Sequence, residues 1–230
     1  MHCDMAYRLV RAVSPVVSKG DRICMVEVVE IERMGYGADA IAHASDGKTL
    51  FVQGAVAGDV VEVKTVLDKK TYAKAKVTKL ISPSPDRVSK LPVDALQSGA
   101  TWANLSYDLQ LRSKRANLAD ALRKNAKLDP VRIEEVLRDI VACKREWGYR
   151  NKVELAAFRD AAGRFCLGAH EMASCDNVAL SRAPLADRLI DRAPKALTGV
   201  LRYLQGDGDL GIYRVGIRGS VRTKSVEVAL

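Results

Sequence analysis

Apolar and polar residues alternate with the period of a β-strand at several places in the first third of the chain. CMVEVVEIERM, from Cys24, sets apolar against acidic positions, the pattern of a half-buried strand. GYGADAIAHASDGK follows, with Gly35 and Gly37 as turn residues and Asp46-Gly47 as a hairpin signal. TLFVQGAVAGDVVEVKTVL supplies two more strands, broken at Gly54 and Gly58, and YAKAKVTKLI alternates again. Ser82-Pro83-Ser84-Pro85 closes the unit. Short strands separated by glycine turns predict a five-stranded, OB-like barrel over 24–87. Residues 1–23 show no such pattern and read as a poorly specified leader.

Beyond the loop LPVDALQSGATWANLS the period changes. Ser106 is placed to cap a helix starting near Tyr107, with Leu111, Leu118 and Leu122 at helical spacing, and Asp129-Pro130 reads as its stop. NKVELAAFRDAAGRFCLGAH predicts a hairpin about Ala162-Gly163. PLADRLIDRAPKALTGVLRYLQ reads as largely helical, with Pro194 a break or a new N-terminus. IYRVGIRGSVRTKSVEVAL predicts a second hairpin. The fold class is therefore α+β: a barrel, then a central α+β domain over 88–230. The last strand runs into Leu230, so that domain reads as truncated and the chain as part of a longer protein.

Composition adds a partner class. A hydrophobic content of 48% is that of a folded protein, and a net charge of +9 with a pI near 9.4 points to an anionic partner. RNA, DNA and an anionic membrane surface all fit on charge alone. No apolar run approaches the roughly 18 residues of a spanning helix. Asp4 interrupts any signal core, so the chain reads as cytoplasmic. Five widely spread cysteines with no C-x-x-C pair support neither a disulfide framework nor a zinc site.

Candidate chemistry concentrates at two places. Lys64, Lys69, Lys70, Lys74, Lys76 and Lys79 face one acid, Asp68. In a strand Tyr72, Lys74 and Lys76 share a face, which puts a stacking ring among cations and suits looped or single-stranded RNA. A solvated edge strand guarded by lysines carries the same pattern. In CKREWGYRNKVE, Lys144, Arg145, Arg150 and Lys152 surround Trp147 and Tyr149. The helix cations from Arg112 to Lys127 read as a solvated face. GDGDLG matches a dinucleotide-loop pattern, but a helix precedes it and a strand follows, so it reads as a turn. His43 and His170 lack ligand-spaced partners, and Cys166 and Cys175 read as small buried hydrophobes.

These residues resemble a family. Gly35-x-Gly37, Asp46-Gly47-Lys48, Phe51-Val52-x-Gly54-Ala55 and Gly58-Asp59-x-Val61 look like a TRAM domain. Leu105-Ser106-Tyr107-x-x-Gln110-Leu111-x-x-Lys114-Arg115 and Trp147-x-Tyr149-Arg150-Asn151-Lys152-Val153 are similar to the central domain of the class I, S-adenosylmethionine-dependent RNA uracil-C5 methyltransferases. The resemblance covers about residues 24–230. It implies an RNA partner, ribosomal by preference, gripped by Lys69, Lys70, Tyr72, Lys74, Lys76, Tyr149, Arg150 and Lys152. No membrane contact is expected, and no obligate protein partner is inferred. The resemblance places the S-adenosylmethionine site, the nucleophilic cysteine and the base outside these residues, so no catalytic residue is assigned here. Many members carry an iron–sulfur cluster on C-x5-C-x2-C plus a later cysteine. Leu91, Gln97 and Ala100 stand at the first three positions and Cys175 at the fourth, so no cluster and no other metal is expected. A stand-alone RNA-binding protein with no enzyme attached is the alternative.

Overall fold

The computed structural model describes residues 14–16, 24–170, 176–206 and 208–230. The chain divides into two compact units, 1–87 with 105–140 and 88–104 with 141–230. The chain passes between these units three times, at the expected 87/88 and again at 104/105 and 140/141, and the long helix groups with the barrel.

In the first unit, strands β1 (Ser14–Val16), β2 (Cys24–Glu30), β3 (Arg33–Met34), β4 (Ala40–His43), β5 (Thr49–Gln53), β6 (Val60–Asp68) and β7 (Tyr72–Ser82) form one sheet in the order β1-β2-β6-β7-β5-β4-β3. Seven strands replace the expected five, because Ser14–Val16, inside the supposed leader, pairs with β2 and the two-residue β3 pairs with β4. The rest of the 1–23 leader lies outside the described residues. The predicted Asp46-Gly47 hairpin joins β4 to β5, with Gly47 at φ 84°, where a side chain is disfavoured. Alternation seals the interior: Leu50 and Val52, Val61 and Val63, and Ala73 and Ala75 are buried from three neighbouring strands.

One buried carboxylate organises the rim. Asp59 is fully buried and accepts the backbone N–H of Val56 (2.7 Å) and of Ser84 (2.8 Å). Arg87 donates to it from Nε (3.1 Å) and Nη2 (2.5 Å), and reaches Gly54 O at 3.0 Å. The Asp59 carbonyl accepts the N–H of Ile31 (2.9 Å).

Helix α1 (Tyr107–Asn125) starts as expected: Ser106 Oγ accepts the Leu109 N–H at 3.1 Å. Its buried positions are Leu109 and Ser113, whereas Leu118 is half exposed, so the leucine spacing did not mark the packed face. Asp129-Pro130 does not merely stop this helix. Asp129 caps a second one, α2 (Pro130–Val136), by accepting the Arg132 N–H at 3.0 Å, with Pro130 in the first turn where its missing N–H costs nothing.

The second unit is a five-stranded antiparallel sheet. Strands β8 (Lys152–Arg159), β9 (Phe165–His170), β10 (Asn177–Ala179), β11 (Arg214–Ser220) and β12 (Ser225–Ala229) take the order β10-β9-β8-β11-β12. Both predicted hairpins are present, the first turning at Gly163 (φ 75°). Helix α3 (Ala193–Gln205) is shorter than the helical stretch expected from Pro184, with Pro194 in its first turn. Leu201 of α3 joins Leu155, Leu167, Val215 and Ile217 in the core on one sheet face. GDGDLG follows α3 and precedes β11, the order that its reading as a turn requires.

Asp59→Asn keeps the shape but removes the charge that its donors share. Breaking a buried ion pair leaves the other charge uncompensated, so the variant is expected to lose about 3–5 kcal/mol. A urea midpoint unchanged from the parent protein would contradict the role given to Asp59.

Candidate nucleic-acid interface

The barrel's outward face is set by its strand register. β5 and β7 run parallel, with Thr49 opposite Tyr72, Phe51 opposite Lys74 and Gln53 opposite Lys76. β6 lies antiparallel on the other side of β7, with Lys64 opposite Lys76. Because Leu50, Val52, Ala73 and Ala75 point inward, Phe51, Tyr72, Lys74 and Lys76 point outward. Phe51 and Tyr72 meet edge to face, centroids 5.7 Å apart at 86°, and both rings are half-buried. Lys64, Lys74 and Lys76 are exposed, with no ion-pair partner among the described residues.

Lys69 and Lys70 sit in the turn between β6 and β7, closed by the Lys69 N–H donating to Tyr72 O at 2.9 Å. Their one acidic neighbour in sequence, Asp68, is taken by Lys48 Nζ at 2.7 Å. That hydrogen bond holds the Lys48 ammonium above its ordinary range against a smaller desolvation effect. The five barrel residues named from sequence therefore lie on one strand face and its adjoining turn. Phe51, Gln53 and Lys64 belong with them, although the sequence pattern did not single them out. The alternation of TLFVQ puts Phe51 outward, but only the parallel β5–β7 pairing seats it against Tyr72.

The other three predicted residues lie in the second unit. The run from Gly148 to Arg150 is tied by backbone bonds to 184–187: Gly148 N–H to Pro184 O (3.1 Å), Arg150 N–H to Leu185 O (2.8 Å) and Asp187 N–H to Arg150 O (2.8 Å). Arg150 and Lys152 both line a small cavity of about 110 Å³, and Tyr149 is half exposed. Lys152 is not a free cation, because its Nζ lies 2.6 Å from Glu154, which also meets Arg214 at 3.0 Å. The Lys152 hydrogen bond, then the Arg214 charge, holds the Glu154 carboxyl below its usual range.

The loop 88–104 offers a cluster no donors. Leu91, Gln97 and Ala100 carry no thiolate, and Cys175 lies outside the described residues. Cys166 is buried, as expected, and its Sγ accepts from Arg202 at 3.4 Å. No group of three or more His, Cys, Asp or Glu able to hold a metal occurs among the described residues. Asp94 anchors this loop instead. Its carboxylate accepts Ser181 N–H (2.7 Å), Ser181 O–H (2.7 Å) and Arg182 N–H (2.9 Å). Burial pushes the Asp94 carboxyl upward, but these bonds and the Arg182 charge outweigh it and leave it below the usual range. His43 pairs with Glu32 at 2.6 Å on the surface, and His170 is exposed.

Residues 26–78 match the TRAM domain family, so the barrel is a TRAM domain. Over most of its length the chain is homologous to RNA methyltransferases, RNA uracil-C5 methyltransferases among them. It is 32% identical over 175 residues to an uncharacterized RNA methyltransferase of Gloeobacter violaceus, a match covering 76% of this chain and 37% of that one. It is 33% identical over 219 residues to the 23S rRNA (uracil(1939)-C(5))-methyltransferase RlmD of Bordetella parapertussis, covering 83% of this chain and 46% of that one. The crystal structure of Pyrococcus abyssi tRNA (uracil-54, C5)-methyltransferase with S-adenosyl-L-homocysteine shares the fold. Its TM-score is 0.59 at 20% identity, over 87% of this chain and 44% of that one. The chain spans less than half the length of the curated relatives it matches.

Two measurements bear on this geometry. Replacing Tyr72 by Ala is expected to cost RNA affinity about 1–3 kcal/mol, the worth of one stacked base, with little change in thermal midpoint. Unchanged affinity in a fluorescence titration would remove Tyr72 from the interface. The Asp94 anchor has a definite pH sign: its folded-state pKa lies below the unfolded value, so its stabilisation is present above that value and is lost as pH falls through the folded one. Protection of the amides in 88–104, taken relative to the intrinsic exchange rate at each pH, should therefore fall on acidification below about pH 4. Asp94→Asn, which tolerates the left-handed backbone at φ 61°, should flatten that response. A response unchanged in the variant would exclude Asp94 as its source.

Proposed function

We propose that this chain is the RNA-gripping N-terminal portion of an S-adenosylmethionine-dependent 23S rRNA (uracil-C5) methyltransferase of the cytoplasm, with methyl transfer carried out by a domain outside these residues. The observation that carries the reading is the outward face of the TRAM barrel. Two half-buried rings in edge contact adjoin three unpaired lysines on adjacent strands. Bases have π faces that stack on such rings in any sequence, and phosphates meet the lysines. A hydrogen-bond code for base identity is not required, so this face grips an RNA loop and leaves selection of the uridine elsewhere.

The ribosomal substrate is supported by the names of the RlmD relatives. The catalytic assignment is supported by the coverage of those relatives, which leaves more than half of each unmatched. S-adenosylmethionine, when bound to the whole enzyme, supplies the methyl group; the residues described here bind and orient RNA. No helix among the described residues is long and apolar enough to cross a membrane.

Titration of the chain with a uridine-bearing stem–loop of 23S rRNA at increasing salt tests the reading. Lys74→Ala combined with Lys76→Ala should flatten the log–log salt slope by roughly 1.4, at about 0.7 for each single-strand phosphate that the variant no longer neutralises. Equal slopes for parent and variant would sink the barrel interface. Incubation with radiolabelled S-adenosylmethionine and the same RNA should transfer no methyl group, and transfer by these 230 residues would overturn the division of labour.

A further inference from the structure

We infer that the open face of the second unit's sheet is a second RNA-binding surface, in which Arg218 rather than Lys152 is the principal phosphate ligand. The inference rests on the RNA-binding reading above and adds a site to it. One face of β8 and β11 is core, holding Leu155, Val215 and Ile217. Alternation therefore puts Lys152 and Glu154, together with Arg214, Gly216 and Arg218, on the other face. An open groove of about 800 Å³ runs there, lined by these five residues, by 210–213 and, among others, by Glu227 and Leu230, so that three cations face two acidic side chains.

The charges on this face are unequal in availability. Lys152 stands opposite Arg218 across the β8–β11 ladder, and Glu154 opposite Gly216. Glu154 holds both Lys152 (2.6 Å) and Arg214 (3.0 Å), so one carboxylate half-neutralises two cations. Arg218 is exposed and has no acidic group within ion-pair distance among the described residues, although Glu227 stands opposite it on β12. A guanidinium free of an internal partner presents its planar fork to a phosphate at no cost in broken ion pairs. Gly216 lies between the cations of β11 and leaves the floor without a side chain. An added Cβ there meets only Ala229 Cβ, at 3.9 Å, so the fold itself does not demand glycine. The missing side chain is space along the groove that a ribose–phosphate strand can occupy.

The arrangement makes three substitutions behave differently. Arg218→Ala removes the free fork and should weaken binding of a fluorescein-labelled single-stranded oligoribonucleotide by roughly tenfold at low salt, reducing the salt slope by about 0.7. Glu154→Gln should act in the opposite direction and tighten binding, roughly threefold, because it releases Lys152 and Arg214 to the phosphates. Gly216→Leu should block the groove and weaken binding while leaving the thermal midpoint close to that of the parent chain. The full chain is titrated in each case beside the Lys74→Ala/Lys76→Ala variant. If the barrel variant loses affinity while Arg218→Ala, Glu154→Gln and Gly216→Leu all bind like the parent, the second surface is refuted and the barrel reading stands. If the parent chain binds no RNA, both fail. Tighter binding by Glu154→Gln together with weaker binding by Arg218→Ala is the signature of the proposed face.

Discussion

The barrel depends on a carboxylate placed where solvent cannot reach it. Asp59 gathers the 54–58 loop through Val56, the exit of β7 through Ser84, and the chain beyond through Arg87, while its own carbonyl holds Ile31 at the end of β2. An unpaired buried charge is costly enough to unfold a small domain. Here the charge meets donors from separate stretches of chain, so it is tolerable only in the folded barrel. Gly58 is part of the same constraint. It sits at φ 86°, and a Cβ there would lie 3.1 Å from Ser84 Oγ, so a side chain would both strain the turn and press on the Ser84 that Asp59 anchors.

With the rim fixed, the interior fixes the exterior. Small alanines at 73 and 75 let β7 pack closely, and strict alternation then commits Tyr72, Lys74 and Lys76 to the outside. A slip by one residue would bury two lysines, which sets the register more firmly than any interaction on the outer face could. The proposed RNA-binding surface is in this sense a consequence of the core. Its lysines remain free because nearby acids are engaged elsewhere, Asp68 by Lys48 and Glu62 by Thr78.

Much of this was legible in the sequence, and the boundary of legibility is physical. Period-two alternation, the Asp46-Gly47 and Ala162-Gly163 turns and the Ser106 cap are local signals, and each produced the expected element. Tyr72, Lys74 and Lys76 share one strand, so their common face needed no tertiary information. Phe51 and Lys64 were hidden because they reach that face through pairing with other strands, one of them parallel and distant in sequence. The same limit hid the neutralisation of Lys152. Glu154 two residues on is a local neighbour, but Arg214, which completes the network, comes from β11. Asp129-Pro130 reads equally as the end of one helix or the start of the next, and the Arg132 N–H decides for the start. The leucines of α1 misled because this helix buries Leu109 and Ser113 instead.

The central claim is that RNA is held by the outward faces of named strands and not by the chain's positive charge at large. Backbone amide shifts of the isotopically labelled chain, followed by NMR while a short uridine-bearing RNA loop is added, test it most directly. The account predicts perturbations concentrated at 49–53, 64, 72–76, 152–154 and 214–218. Shifts spread evenly over exposed lysines and arginines, the cations of α1 included, would contradict it.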